Sequence, residues 1–385
     1  MKKLLIATAA LAMVAGTVQA QSSVAVSGRL DMGFSDKSLN ANAAADTKSK
    51  TIVDSPMYSN FLRFSGSEDL GGGLKANFYL ETALTPSTGV YALGDRGRWV
   101  ELAGSFGTLR AGSQNTISRD VWVGFSQTGS INIVGDLNSS TAEDAGGATG
   151  VAGFETALKY TTPVMNGLSA SVAMQVATTD TNGVKSGTDG SSFGVGYTAG
   201  KFKALAGRST STTQSASVAA VAARAALFWT GALVTDTAGV GGTNTVIQAA
   251  TAASALVPAY ETKTNITAVS ASYDFGVAAA SLTYVDKDAK RSDATLTGLV
   301  DRKSTTLSVQ APIGKAVLFG GYGIGSQITN NNGYKGDLTG AQFGVKYNMS
   351  KRTQAYLANG TVEHQLSATT KNKHSETAVG IVHLF

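Results

Sequence analysis

The sequence predicts an all-β fold, a transmembrane antiparallel β-barrel of sixteen strands. Three observations lead there. Segments in which apolar and polar residues alternate recur along the whole chain, each about ten residues long, the length a tilted strand needs to cross a bilayer. The chain is poor in charge, 15% of 385 residues, yet its single long apolar run lies at the N-terminus. The connections alternate short and long, as they do when tight turns line one rim of a barrel and loops the other.

The apolar run, MKKLLIATAALAMVAGTVQA, has a basic start in Lys2 and Lys3, an apolar core from Leu4 to Val14 and a small-residue ending at Val18-Gln19-Ala20. It reads as a signal peptide over residues 1–20, too short for a spanning helix. Residues 21–385 read as one barrel domain. The formal net charge is +5, and it falls by two without Lys2 and Lys3. That weakly basic balance, in an exported chain, gives no reason to expect nucleic acid. The absence of cysteine removes thiol chemistry and thiolate metal sites, and leaves the fold to backbone pairing and burial.

Taken in order, residues 24–34 place Val24, Val26, Leu30, Met32 and Phe34 on one face, and Ser27, Arg29 and Asp31 on the other. Residues 59–81 form a hairpin around SEDLGGG, with Phe64, Leu74, Ala76, Phe78 and Leu80 opposed to Arg63, Ser65, Lys75, Asn77, Tyr79 and Glu81. Residues 98–104 and 107–112 align Val100, Leu102, Leu109 and Ala111. Alternating segments continue at 155–163, 168–177, 192–200, 265–276, 277–285, 304–314, 316–325, 338–350, 352–362 and 377–385. Residues 36–57, 114–153, 286–302 and 326–337 read as long polar loops. Residues 211–262, Ala-rich and interrupted by Arg224, read as a long external loop. An extra hairpin there would make eighteen strands.

No strand edge can stay open in lipid, so the strands must close on themselves. Sixteen enclose a lumen too wide for side chains to fill. Parity then assigns the faces. Leu74, Phe78 and Leu80 meet lipid. Arg29, Arg63, Lys75, Arg110 and Lys159, with Asp31, Glu81 and Glu101, face the lumen. A tight turn at Ser105-Phe106 sets Glu101 opposite Arg110, an ion pair of roughly 0.2–1 kcal/mol that orients the arginine more than it stabilises the barrel. His364, His374 and His383 sit near the C-terminus. His383 has lipid-facing parity, and a Ser/His hydrolase would need a third polar group to hold the base. No enzyme, cofactor or metal is expected.

Four motifs, GSEDLGGGLKANFYLE (66–81), ELAGSFGTLRAG (101–112), LKYTTP (158–163) and GIVHLF (380–385), resemble the Gram-negative general porins, especially the betaproteobacterial type. The resemblance implies a sixteen-stranded trimeric pore in the outer membrane. It also implies a third external loop, here Gln114–Gly153, that folds inward and narrows the lumen. The acids Asp120, Asp136, Glu143 and Asp144 of that loop, offset by Arg119, would face a stripe formed by the inward Arg and Lys residues. Departures from the family pattern thin that stripe: Phe61, Ser65, Ser113, Val382 and Leu384 stand where relatives carry cations. Terminal Phe385 resembles the signal read by the barrel-assembly machinery. The implied partners are two further copies, outer-membrane lipid and lipopolysaccharide, that machinery during biogenesis, and small ions and solutes. The expected function is passive diffusion of ions and small hydrophilic solutes with a moderate anion preference. The alternatives are a substrate-specific porin for a small organic acid or sugar, and a structural or adhesive barrel.

Overall fold

A computed structural model describes residues 23–41, 47–89, 97–128, 153–176, 179–181, 184–215, 260–292, 300–329 and 334–385, together with Gly94, Arg96, Gly135 and Leu137. Segment 1–20 lies outside them. The strands are β1 (Ser23–Ala41), β2 (Thr47–Asp54), β3 (Phe61–Gly71), β4 (Leu74–Ala83), β5 (Gly97–Gly104), β6 (Gly107–Asn115), β7 (Gly153–Thr161), β8 (Leu168–Gln175) and β9 (Thr179–Thr181). They continue with β10 (Val184–Ala199), β11 (Phe202–Ser215), β12 (Tyr260–Asp274), β13 (Ala279–Arg291), β14 (Val300–Ile313), β15 (Ala316–Thr329), β16 (Tyr334–Asn348), β17 (Thr353–Gln365) and β18 (Lys371–Leu384). A helix, α1 (Ile117–Phe125), follows β6.

All strands pair antiparallel in one sheet, which closes where β1 meets β18, from Arg29↔Leu384 to Ala41↔Asn372. Closure gives each backbone N–H and C=O a partner, the condition lipid imposes. β2 and β3 lie end to end along the other flank of β1, and β8 and β9 do so along β10. The eighteen strands therefore make sixteen staves. β11 pairs directly with β12 as far as Ser215↔Tyr260, so no extra hairpin enters the sheet there. Residues 211–215 and 260–262 are strand ends rather than loop, and 216–259 lie outside the described residues.

Three further expected loops are largely strand: β1 and β2 take up most of 36–57, β13 and β14 most of 286–302, and β15 and β16 most of 326–337. These extensions carry no apolar alternation, because a strand longer than lipid requires has water on both faces. Cross-strand ion pairs mark them, Lys50 to Asp36 at 3.2 Å and Lys303 to Asp286 at 3.1 Å. The wall is lowest at β5, of 8 residues, near the minimum for a bilayer. It is highest at β1, of 19 residues. At the opposite rim, the β3–β4 turn needs three consecutive left-handed residues, which Gly71, Gly72 and Gly73 supply at φ +83°, +61° and +81°.

The seam ends on the terminal residue. Gly28 N–H donates to Phe385 O at 2.9 Å, and Phe385 N–H to Gly28 O at 3.1 Å. The Phe385 ring lies over Gly28 and leaves no room for a Cβ there. Gly28→Val should therefore unseat the ring, at a cost of about 1–3 kcal/mol for overpacking. After refolding into detergent, the variant should show less of the heat-modifiable barrel band on an unheated gel than wild type. A yield equal to wild type would contradict this packing.

Candidate pore lining

Outward positions are apolar and exposed, among them Val100, Leu102, Leu109 and Leu158. The intervening positions face the lumen, and their charges include a cluster on the wall from β1 to β7, with Lys287, Arg302, Lys346 and Glu376 buried on β13, β14, β16 and β18. Arg63 donates through Nε and Nη2 to Glu81 Oε2 at 3.0 and 2.7 Å. The Tyr79 hydroxyl donates to the same oxygen at 2.5 Å. Arg96, just before β5, meets Glu81 Oε1 at 3.2 Å. The register places Glu101 opposite Arg110, which donates to Glu101 Oε2 at 2.9 and 2.7 Å. Asn77 Nδ2 takes Glu101 Oε1 at 3.1 Å. Arg29 instead donates to the Ser59 carbonyl at 2.9 and 2.7 Å.

Aromatic rings separate these guanidinium groups. Arg29 lies 5.1 Å from the Tyr58 ring and 5.0 Å from Phe61. Arg63 lies 4.6 Å from Phe61 and 5.0 Å from Tyr79. Tyr79 stacks on Trp99 at 5.0 Å, and Arg110 covers Trp99 at 3.8 Å. Each cation–π contact contributes on the order of 0.5–2 kcal/mol, more where water is excluded. The rings thus hold the cations extended across the wall. Phe61 is a lost cation in the sequence pattern, and here it spaces two arginines.

Asp31 behaves differently from the other acids. It is fully buried, and its carboxylate accepts from Met57 N at 2.8 Å, Tyr58 N at 2.6 Å and the Tyr356 hydroxyl at 2.7 Å. It is a structural anchor. Tyr58 lies outside the strands, and burial pushes its phenol up to about 12. Lys75 shares the inward face but is exposed and pairs in register with Asp69, beside the Gly71–Gly73 turn. It sits at the short-turn rim, away from Glu81.

The described part of the connection after β6, the fifth stave, which comprises residues 116–128, Gly135 and Leu137, lies against the inner wall. Gln114 and Asn115 still belong to β6, so the departure is at Thr116, whose side chain caps α1 by accepting from Arg119 N. Two orphan donors of the first turn find wall hydroxyls: Ile117 N reaches Ser192 Oγ at 2.9 Å and Ser118 N reaches Ser209 Oγ at 3.3 Å. Val121 and Trp122 pack on Ala157, Ala173, Ile266, Ala268 and Val285, inward residues of β7, β8, β12 and β13. Farther on, Gln127 N donates to Ser308 Oγ at 2.9 Å, Lys346 Nζ to Thr128 O at 3.2 Å, and Leu137 packs on Leu338 and Val362. Asp120 does not face the basic wall across open space. Its Oδ2 accepts from Lys159 Nζ at 2.6 Å, because α1 starts next to β7. Arg119 lies 5.3 Å from the Trp122 ring. Asp136, Glu143 and Asp144 lie outside the described residues.

Sequence reasoning missed Arg96, Asn60 and the aromatic spacers. A signal for the docking sites was present. Ile266, Ala268, Val285, Phe319, Ala378 and Val382 are apolar at inward parity, where a water-filled wall should be polar. No group of three or more side chains suited to a metal occurs among the described residues.

A closed sixteen-stave barrel with a charged inner wall and an inward loop after the fifth stave agrees with the family comparison, in which a model described as Gram-negative porin matches residues 7–365. The chain belongs to the Gram-negative porin family. It is an outer-membrane protein with that family's barrel. Among its relatives is outer membrane porin protein 32 of Delftia acidovorans, 38% identical over 154 residues that make up 38% of this chain and 42% of that protein. The chain thus aligns with less than half the length of this relative. Among solved structures, an anion-selective porin from Comamonas acidovorans superposes with a TM-score of 0.69 at 21% identity, over 95% of this chain and 100% of that one. OmpT of Vibrio cholerae, described as a trimer form, does so with a TM-score of 0.57 at 15% identity, over 93% and 99%. These likenesses show the fold.

Glu101→Gln should leave Arg110 without its counter-charge while keeping the Asn77 contact. Reversal potentials in a KCl gradient should move toward chloride in this porin variant, with a stability loss of no more than about 1 kcal/mol. An unchanged potential would place the Glu101–Arg110 pair away from the ion path.

Proposed function

We propose that this porin forms a water-filled channel through which ions and small hydrophilic solutes diffuse passively, with a moderate preference for anions. One observation carries the preference. On the β1–β7 wall Arg29 rests on a carbonyl oxygen and Arg96 shares Glu81 with Arg63, so the guanidinium groups exceed the carboxylates that pair with them. Rings of charged side chains set ion preference in other pores. Screening acts over about 10 Å at 0.1 M salt, so a few fixed charges beside the path weaken but persist. Glu81, Glu101 and Asp120 neutralise their partners locally, which keeps the preference moderate. The segment from Thr116 to Thr128, whose helix packs on β7, β8, β12 and β13, narrows the passage beside that wall. This is a transport role without catalysis.

Assembly as a homotrimer is the natural form. OmpT of Vibrio cholerae, which shares the fold, is described as a trimer form, and the low stretch of wall over β4–β7 offers an apolar face for neighbouring copies. Outer-membrane lipid and lipopolysaccharide surround the barrel, and the assembly machinery reads Phe385 during biogenesis. Planar-bilayer recording tests the function. Wild type should open in steps of three with a reversal potential on the chloride side. Arg63→Ser should shift it toward potassium, and Lys75→Gln much less, since Lys75 sits at the rim. A wild type that prefers potassium, or an Arg63→Ser channel that does not shift, would overturn the anion preference. Only monomers in gentle detergent would overturn the trimer.

A further inference from the structure

The second stave of the barrel is broken. β2 ends at Asp54, β3 begins at Phe61, and residues 55–60 leave the wall. The Asn60 side chain fills the gap in the ladder. Asp31 N–H donates to Asn60 Oδ1 at 2.5 Å, and Asn60 Nδ2 donates to Asp31 O at 3.2 Å, so one amide stands in for a missing strand neighbour. Ser55 turns the chain inward at φ +56°, a left-handed conformation uncommon for a residue with a Cβ, and its N–H donates to Asp31 O at 2.8 Å.

From there the segment crosses to other staves. Met57 is fully buried against Phe319, Tyr356, Ala358, Ala378 and Val382, inward residues of β15, β17 and β18. Tyr58 stays half-buried, with its hydroxyl 3.4 Å from Gln354 Oε1. The carboxylate of Asp31 receives two backbone N–H groups of this segment and the Tyr356 hydroxyl. Charge-assisted bonds of this kind are roughly twice as strong as neutral ones. The segment touches the flank of the lumen that α1 leaves free, since α1 packs on β7, β8, β12 and β13.

We propose that residues 55–60 are a second internal restriction of the channel, a strap with Tyr58 at its pore-facing edge, and that Asp31 is the positioning residue that holds it. This rests on the channel reading above. The strap reads Ser-Pro-Met-Tyr-Ser-Asn and carries no charge, and the charge of Asp31 is taken up by its donors. The restriction is therefore steric. It limits the size of the solute, while the arginines set the sign of the ion.

Single-channel recording on the full-length trimer tests this. Tyr58→Gly should raise conductance, while Tyr58→Phe, which keeps a ring beside Arg29, should conduct and select ions like wild type. Asp31→Asn should add current fluctuations as the strap loosens. The chain has no cysteine, so Tyr58→Cys offers a unique thiol, and a charged methanethiosulfonate should lower its current stepwise while leaving wild type untouched. A conducting wild type with Tyr58→Gly and thiol-labelled Tyr58→Cys unchanged would overturn the strap alone. A wild type that forms no channel would overturn the channel reading and the strap together.

Discussion

The structure depends on the hydrogen-bonding demand of the backbone in lipid. An unpaired N–H or C=O in hydrocarbon costs several kcal/mol, more than any side-chain contact in this barrel contributes. The sheet must close, and β1 is where it does. One flank of β1 pairs with β18 and the other with β2 and β3. Where the partner strand breaks, at residues 55–60, the Asn60 amide and Ser55 N–H take over the pairing of Asp31. Gly28 and Phe385 then complete the lower end of the seam. The interruption persists because the ladder is repaired by side chains rather than abandoned.

Closure turns parity into function. A side chain at inward parity meets water or an internal segment, and one at outward parity meets lipid or a neighbouring copy. The charges on the β1–β7 wall follow from this rule. Their strength is set by local pairing. A pair of charges 4 Å apart gains about 4 kcal/mol at an effective dielectric of 20 and about 1 kcal/mol in water, and desolvation offsets much of that gain. The Arg63–Glu81 and Arg110–Glu101 pairs therefore fix side-chain geometry more than they stabilise the barrel. The aromatic spacers Phe61, Tyr79 and Trp99 act in the same direction, keeping the guanidinium groups apart and extended.

Much of this was legible in the sequence, because lipid makes alternation obligatory where the wall crosses the membrane. The faces of Leu74, Phe78, Arg63 and Glu81 follow from period two, and so does the Glu101–Arg110 register. Three features were not legible. The strand extensions at Asp36–Ala41 and Asp286–Arg291 have water on both faces, so nothing enforces alternation. The strap at 55–60 is held by tertiary contacts to Asp31 and Tyr356, far away in sequence. Arg96 lies off any strand and gains its role only from the position of Glu81. The docking of α1 and of Met57 did leave a trace. Apolar residues such as Ala268, Val285 and Ala378 occupy inward positions that a water-filled wall would make polar.

The central claim is that the barrel closes between β1 and β18 in the stated register. Because the chain lacks cysteine, a paired substitution reads that register directly. Ser38 lies opposite Ser375, and directly opposed residues in an antiparallel pair stand about 4.5–5.5 Å apart, within the reach of a disulfide. Oxidation of the folded Ser38→Cys, Ser375→Cys double variant should give a single intrachain cross-link, and the displaced pair Ser38→Cys, Thr377→Cys should not. A folded barrel that cross-links the displaced pair in preference, or neither pair, would contradict the closure on which the rest is built.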